Sequence, residues 1–216
     1  MNPLHLFFQP RRFFNNEKLF GAKNIPALAA ICYSLARVLN RVDRQLTQAD
    51  MGGRNSQADM MSELALFDSW LDFWPFILLI AAIGSPLIWW IGGWWYSLRI
   101  RWSDVPERDG RKARVVYVYS ALIESVPVIL VAVIHSFVYA NYYESWVSDS
   151  LWEALLLVFP FWALVVSYIG VRTVFPVTIW KARLWFLIVP CLLYTVGLVL
   201  LIVAVELIGN GIFPTT

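Results

Sequence analysis

Four long apolar stretches dominate the pattern of hydrophobic and polar positions along the chain. No Lys or Arg lies within them, and they run over Phe73–Leu98, Val115–Ala140, Leu151–Val171 and Leu184–Ile208. A helix needs about 20 mostly apolar residues to cross a hydrocarbon core of about 30 Å. Each stretch meets that length. The pattern therefore predicts an all-α, polytopic membrane helical bundle.

A weaker apolar stretch, Ile25–Leu39, determines the number of crossings. Basic residues are concentrated near the N-terminus, between Arg99 and Arg114, and between Arg172 and Arg183. Lys and Arg collect on the cytoplasmic side of membranes. All three basic segments face the cytoplasm only if Ile25–Leu39 also crosses. This predicts five transmembrane helices, with a cytoplasmic N-terminal segment 1–24, a transmembrane domain 25–216 and an external C-terminus.

Ile25–Leu39 also has the pattern of an amphipathic helix. Its apolar residues recur at helical spacing, whereas Arg37 and Arg41 lie elsewhere around the helix. A helix of this kind lies in the plane of the membrane interface. The alternative is thus four transmembrane helices and one interfacial helix, and the sequence leaves both arrangements open.

The composition narrows the class of protein further. Hydrophobic residues make up 59% of the 216 residues and charged residues 15%, compared with about 25% charged in soluble domains. The net charge of +2 gives no reason to expect a nucleic-acid partner. Cys32 and Cys191 lack the CxxC spacing of a thiolate metal site, and we expect no cofactor. Many of the twelve Trp lie at the ends of the apolar stretches, as expected for aromatic belts at the two membrane surfaces.

Glu124 is the candidate for intramembrane chemistry. It lies nine positions after Val115, about 13 Å of helix rise into its span, and a carboxylate there is by default a functional hypothesis. Tyr117 and His135 share its helix face. Either Glu124 and His135 form a proton- or cation-responsive path through the bundle, or Glu124 holds helices together through hydrogen bonds. The hydrogen-bond partners considered are Tyr117, Ser120, Ser167 and Tyr168.

Two further features lie at the ends of the predicted spans. Four basic residues precede the second long stretch, and we expect them to contact anionic lipid headgroups at the cytoplasmic surface: Arg108, Arg111, Lys112 and Arg114. The Gly92-Gly93 pair near the end of the first long stretch indicates close helix packing or a break in the helix.

Three segments together resemble the Yip-domain family of Ypt-interacting-protein-like membrane proteins, in its bacterial form. They are LFFQPRRFF at Leu6–Phe14, WIGGWWYSLRIR at Trp90–Arg101 followed by YVYSALIESVP at Tyr117–Pro127, and the glycine-containing Tyr168–Val171. The resemblance implies five spans with a cytoplasmic N-terminus and a protein that is not an enzyme. The unusually charged first span departs from the family pattern.

These observations lead to two functional hypotheses. The first is a non-enzymatic inner-membrane scaffold or accessory subunit that contacts membrane lipids and associates with another membrane protein or with itself. The alternative is a small-solute or ion permeation protein that uses the Glu124 face. A permeation protein requires a continuous polar track lined by Glu124. A scaffold requires a Glu124 that is capped by neighbours and an apolar lateral face for a partner.

Overall fold

The computed structural model describes residues 3–21, 24–51, 69–105, 109–148 and 156–209. Every regular element within these ranges is helical. Three short helices, α1 to α3, precede α4 to α7, and α8 to α11 follow. Short π-helical segments follow α5 and α10. The bounds are α1 Leu4–Phe8, α2 Pro10–Phe14, α3 Lys18–Gly21, α4 Asn24–Met51, α5 Trp70–Leu87, π-helix Ile88–Gly92, α6 Gly93–Trp102, α7 Gly110–Val138, α8 Tyr142–Val147, α9 Val158–Val174, α10 Ile179–Arg183, π-helix Leu184–Ile188 and α11 Val189–Gly209.

The prediction of an all-α polytopic membrane bundle is confirmed. Among the described residues, four helical segments are long and apolar enough to cross a membrane: Asn24–Thr47, Trp70–Trp102, Gly110–Val138 and Ile179–Leu200. The shorter α9 is also apolar. It begins at Val158 and ends at Val174, slightly later than the predicted span Leu151–Val171, whose first five residues lie outside the described ranges.

The weak first stretch belongs to α4, which is much longer than Ile25–Leu39. α4 packs lengthwise against α5 and α7. It runs parallel to α7, because Arg37 contacts Glu124 near the middle of both helices and Asp43 bonds to Tyr142 beyond the end of α7. α4 therefore traverses the same thickness of the bundle as α7. This geometry favours the crossing arrangement over a helix that lies in the interface plane.

Two hydrophobic clusters occupy opposite ends of the bundle. The larger cluster combines the start of α7 with α6, α9 and the short N-terminal helices, whose Phe13, Phe14 and Leu19 are buried. The smaller cluster joins α4, α5 and the end of α7 around Leu39, Phe73 and Ile77. The N-terminal helices thus cover one end of the bundle.

Backbone adjustments at Pro86 shape the end of α5. Pro86 has no N–H for the carbonyl of Ala82, and the Ser85 hydroxyl donates to that carbonyl at 2.9 Å. Membrane helices repair proline breaks in this way. The π-helix Ile88–Gly92 follows directly. α6 continues directly from this segment and packs on α7.

The Gly92-Gly93 pair lies where α6 meets α7. A Cβ added to Gly92 would come within 2.5 Å of the Tyr117 ring, and one added to Gly93 within 2.3 Å of Arg114 Cγ. Both explanations of the pair apply, since the helix changes to π geometry here and the backbone approaches α7 closely.

Candidate functional site: a polar layer inside the bundle

Glu124 forms an ion pair with Arg37. The Arg37 Nη2 donates to Glu124 Oε1 at 3.1 Å, which links α4 to α7 across 87 residues of sequence. The Glu124 side chain is 17% exposed and that of Arg37 is 43% exposed. The ion pair is therefore partly enclosed, and both charges are compensated inside the protein, as required where water is scarce.

The Glu124 partner differs from those considered in the sequence. Ser120 donates to the backbone of its own helix, and Ser167 bonds to Tyr96. Tyr168 accepts a hydrogen bond from Arg172 at 3.4 Å. The sequence analysis missed Arg37 as the partner. Arg37 lies 13 residues after the first residue of α4, and Glu124 lies 14 residues after the first residue of α7, so both are at a similar depth. Equal depth and opposite charge are a usable signal once two helices are known to run parallel.

Tyr33 holds the guanidinium of Arg37 in place. Its hydroxyl accepts from Arg37 Nε at 2.9 Å and from Nη2 at 2.6 Å. The spacing of four residues on α4 places the two side chains one turn apart on the same face. Two donors on one oxygen, plus a third bond to Glu124, orient the guanidinium from both α4 and α7.

A row of tyrosines continues from Tyr33 across the bundle. The rings of Tyr33 and Tyr117 are 5.7 Å apart edge to face, and those of Tyr117 and Tyr96 are 5.6 Å apart. The Tyr96 hydroxyl bonds to Ser167 Oγ at 2.8 Å. Aromatic rings at these distances attract one another. The row joins α4, α7, α6 and α9 through groups that are both apolar and hydrogen-bonding.

Arg99 completes the polar layer from α6. Its Nε and Nη2 donate to the carbonyl of Trp185 at 3.0 and 2.7 Å, and its guanidinium carbon lies 4.4 Å from the Phe186 ring centroid. Trp185 is in the π-helix Leu184–Ile188. The i→i+5 hydrogen bonds of such a segment interrupt the regular α-helical pattern. Here the Trp185 carbonyl accepts hydrogen bonds from the Arg99 side chain of α6.

These residues line a cavity of about 480 Å³. Its polar wall consists of Tyr33, Arg37, Tyr96, Arg99, Tyr117, Ser120, Glu124, Ser167 and Tyr194. A smaller cavity of about 50 Å³ shares Tyr33, Arg37, Glu124 and Pro160 with it. A third, of about 320 Å³, shares Asn40, Val128, Leu156 and Pro160 with the small one. The three cavities thus follow one another along the bundle, with the Arg37–Glu124 pair at the narrow part.

The predicted intramembrane residues fall into two of these cavities. Tyr117 and Glu124 line the large one together. His135 lines the third cavity with Asp43 and Tyr142, and its ring packs against Tyr139 at 5.2 Å. The structure therefore brings Tyr117 and Glu124 together and places His135 further along the same row of cavities.

The basic residues predicted at the lipid surface cluster at the start of α7, except Arg108, which lies outside the described residues. Arg111 Nη2 is 3.5 Å from the carbonyl of Gly21. The Lys112 ammonium lies 6.0 Å from the Phe20 ring centroid, and the Arg114 guanidinium carbon lies 4.1 Å from that of Trp90. Contact with lipid stays a prediction for all four.

An exposed polar link joins the end of α6 to α10. Lys181 and Thr178 both bond to the carboxylate of Asp104, the threonine at 2.8 Å. The hydrogen bond from Lys181 and then that from Thr178 lower the pKa of Asp104. Asp104 has a φ of 70°, a left-handed conformation that Asp and Asn tolerate better than most residues.

The polar layer consists of charged and hydrogen-bonding side chains that are paired with one another. Within the described ranges, no group of three or more His, Cys, Asp and Glu side chains is placed to hold a metal ion. The charged groups of the polar layer are engaged with one another or with backbone carbonyls. Such an arrangement can lock helices together or conduct a small polar species.

The comparison with protein families agrees with the resemblance in the sequence. The model of the Yip1 domain matches residues 4–201, which include the short N-terminal helices, the polar layer and most of α11. Neither the curated proteins nor the solved structures provide a match. The match extends over nearly the whole chain, and the protein is therefore a multi-pass membrane protein that belongs to the Yip1 domain family.

Proposed function

We propose that the protein is a non-enzymatic scaffold or accessory subunit of the cell inner membrane, with a cytoplasmic N-terminus and an external C-terminus. The observation that carries the proposal is the exposure of its last crossing helix. Only 6% of the apolar stretch within Ile179–Leu200 is buried, compared with 44% for Asn24–Thr47 and 22% for each of the other two long spans. The last helix is therefore held by few neighbours of its own chain and is available to another transmembrane helix.

The surface of α11 suits close helix packing. Leu193 is 69% exposed and Leu200 is 63% exposed, and both lie on the helix face that carries Gly197. A Cβ added to Gly197 would meet no atom within 4 Å. Small residues between larger apolar ones let two membrane helices approach closely. The partner is another membrane protein or a second copy of this chain.

The internal ion pair also supports a scaffold. Because Arg37 and Glu124 compensate each other, the bundle needs no ligand to balance the carboxylate. Tyr33 adds two more bonds to the guanidinium. The polar layer then serves as an internal clamp that keeps α4 and α7 in one arrangement while α11 contacts a partner.

Native purification combined with a surface substitution tests this proposal. The tagged protein is extracted in a mild detergent, and the chains that co-purify are identified by mass spectrometry. Gly197→Ile adds bulk to α11 and should release the partner. Ala82→Ile adds similar bulk to an exposed position on α5 and should retain it. The mass of the purified particle shows whether a second copy of the chain is present. A partner or second copy that stays with both variants, or a wild-type protein that purifies as a single copy without any other chain, would contradict the use of α11.

The row of three cavities favours a second candidate function, the permeation of protons or small polar solutes. Neighbouring cavities share lining residues, and the row runs from the cavity lined by Arg99 to the one lined by Asp43. In this interpretation the Arg37–Glu124 pair is the gate. Flux into vesicles should then depend on pH and be lost in Glu124→Gln while the variant remains folded. No difference in flux between protein-containing and empty vesicles would eliminate this candidate.

A further inference from the structure

Arg99 differs from the other charged residues of the polar layer in the kind of partner it has. Its Nε and Nη2 donate to one backbone carbonyl, that of Trp185, and its guanidinium carbon lies 4.4 Å from the Phe186 ring centroid and 5.5 Å from that of Tyr96. Within the part of the chain that the structure describes, no carboxylate forms an ion pair with it. The carbonyl satisfies two N–H donors but carries no net charge. The positive charge of Arg99 is therefore left for an anion to balance.

The contact with Trp185 leaves one edge of the Arg99 guanidinium without an acceptor among the described residues. A guanidinium has five N–H donors in a planar fork, and the carbonyl takes one from Nε and one from Nη2. The other edge is formed by Nη1 and the second N–H of Nη2, which are parallel donors. This geometry binds the two oxygen atoms of a carboxylate or phosphate as a pair.

The cavity of about 480 Å³ beside Arg99 has an excess of positive charge. Its described lining residues include two cations, Arg37 and Arg99, and one anion, Glu124, so their charges sum to +1. Arg37 and Glu124 already compensate each other. An occupant with one negative charge balances Arg99, whereas a doubly charged anion brings a further negative charge close to Glu124. The complementary ligand is therefore a monoanion.

Part of the cavity wall is apolar and comes from α9 and α11. Leu164 and Val189 contribute to it, and Leu193 follows Val189 one turn later on the same face of α11. Trp185, whose carbonyl binds Arg99, lies four residues before Val189. The apolar wall thus begins near the level of the guanidinium and continues toward the middle of the span. A hydrocarbon chain fits such a wall, and a small soluble anion makes no use of it.

The cavity opens within the membrane-spanning part of the bundle. Two of its lining residues are also exposed, Trp95 at 48% on α6 and Leu193 at 69% on α11. Both belong to helical segments that are long and apolar enough to cross a membrane, so an occupant enters from the lipid phase. Arg99 lies about one turn from Trp102, and tryptophan prefers the headgroup boundary. The anionic group of the occupant is therefore close to the membrane surface.

We infer that this cavity binds a single-chain amphiphile with a carboxylate headgroup, such as a long-chain fatty acid. The carboxylate pairs with the free edge of Arg99, and the chain lies along Leu164, Val189 and Leu193. The cavity volume is in the range of about 300–1,000 Å³ that holds one small ligand, which favours one chain over the two chains of a phospholipid. The inference goes beyond both candidate functions and depends on neither, because binding to the purified protein requires no partner chain and no flux.

Photocrosslinking of the full-length protein in a neutral detergent tests this site. The probe is palmitate with a diazirine in its chain, and the saturable part of the crosslinking gives its affinity. Peptide mapping should place the crosslinks on α9 and α11, at Leu164, Val189 or Leu193. Arg99→Gln should weaken binding about tenfold, because it removes a charge-assisted pair of hydrogen bonds. Arg99→Lys keeps the charge without the paired donors, and its affinity should lie between those of the wild type and Arg99→Gln.

Matched control variants separate the cavity from general effects of charge and bulk. Arg101→Gln removes an exposed positive charge from the same helix, outside the cavity, and should change the affinity less than about twofold. Val189→Trp keeps Arg99, fills the apolar wall and should abolish saturable crosslinking. Leu192→Trp adds bulk to an exposed position of α11 and should leave crosslinking unchanged. Val189→Trp tests the site even if Arg99→Gln disturbs the packing of α6.

Competing ligands test the chemistry of the occupant. Unlabelled palmitate should displace the probe. Hexadecanol has the chain without the charge, and acetate has the charge without the chain, so neither should compete at the same concentration. Competition by hexadecanol equal to that by palmitate would show that the carboxylate is not recognised, and competition by acetate would indicate a soluble carboxylate. Competition by lysophosphatidylglycerol equal to that by palmitate would assign the site to a phosphate diester. Each of these results overturns the inference.

Three results with the protein variants would also overturn it. The first is the absence of saturable crosslinking in the wild-type protein. The second is an equal loss of affinity in Arg101→Gln and Arg99→Gln, and the third is unchanged crosslinking in Val189→Trp. Loss that is confined to Arg99→Gln and Val189→Trp, together with competition by palmitate alone, supports the carboxylate site.

Discussion

Replacing Glu124 by Leu should destabilise the protein chiefly because it removes the charged partner of Arg37. Removal of one member of a fully buried ion pair costs about 3–5 kcal/mol. Here the Arg37 side chain is 43% exposed and keeps two bonds to Tyr33, so the cost should be lower. We expect about 2 kcal/mol for Glu124→Leu and about 1 kcal/mol for Glu124→Gln, which keeps one oxygen acceptor.

A double-mutant cycle isolates the contribution of the ion pair. Arg37→Met retains most of the side-chain length and should cost about 1.5 kcal/mol, and the variant with both substitutions should cost about 2 kcal/mol. The coupling energy is then about 1.5 kcal/mol, near the upper end of values measured for interhelical hydrogen bonds in membranes. The measurement is reversible unfolding in mixed micelles as the denaturing detergent is increased.

A control cycle checks the assay. Glu17→Leu changes an exposed charge in the turn before α3, and Arg101→Met changes an exposed charge on α6. The effects of these two substitutions should add. Effects of Arg37→Met and Glu124→Leu that also add to within about 0.5 kcal/mol would refute the ion pair as a stabilising clamp.

Three other predictions concern the ends of the helices. Topology reporters should place the N-terminus in the cytoplasm and the C-terminus outside, because the basic segments favour that orientation; a cytoplasmic signal from a C-terminal reporter would contradict five crossings. The hydrogen bond from Lys181 lowers the pKa of Asp104 in the folded protein. The Asp104–Lys181 contact therefore stabilises the fold at a pH above the unfolded-state pKa of the carboxyl. This stabilisation is lost as the pH falls through the lower folded-state pKa. Asp104→Asn keeps a residue that tolerates a positive φ, and it should weaken the fall of the melting temperature at acid pH. An unchanged fall would show that other acidic residues cause it. Gly92→Ala should cost about 1–3 kcal/mol, since its Cβ would lie 2.5 Å from the Tyr117 ring. Gly197→Ala, in open space, serves as the control and should be neutral or slightly stabilising in the same unfolding assay.

The sequence by itself determined the membrane architecture, because the requirement for a crossing helix is local. Length and apolarity can be counted along the chain, and the long spans were found in this way. Glu124 was recognised for the same reason, since a carboxylate in an apolar stretch is visible without knowledge of its neighbours. The Gly92-Gly93 pair likewise indicated close packing, although its contacts with Tyr117 and Arg114 did not follow from spacing.

Only the tertiary structure decided how the polar groups are partnered. The charge of Arg37 made Ile25–Leu39 look like an interfacial helix, yet that same charge meets Glu124 across 87 residues of sequence. Helical spacing placed His135 on the face of Glu124, but packing put it in a different cavity. The start of α4, the end of α5 and the start of α7 likewise meet around a pocket lined by Pro26, Pro86 and Arg114. Periodicity describes one helix at a time, whereas ion pairs, cavities and grooves depend on the relative position of several.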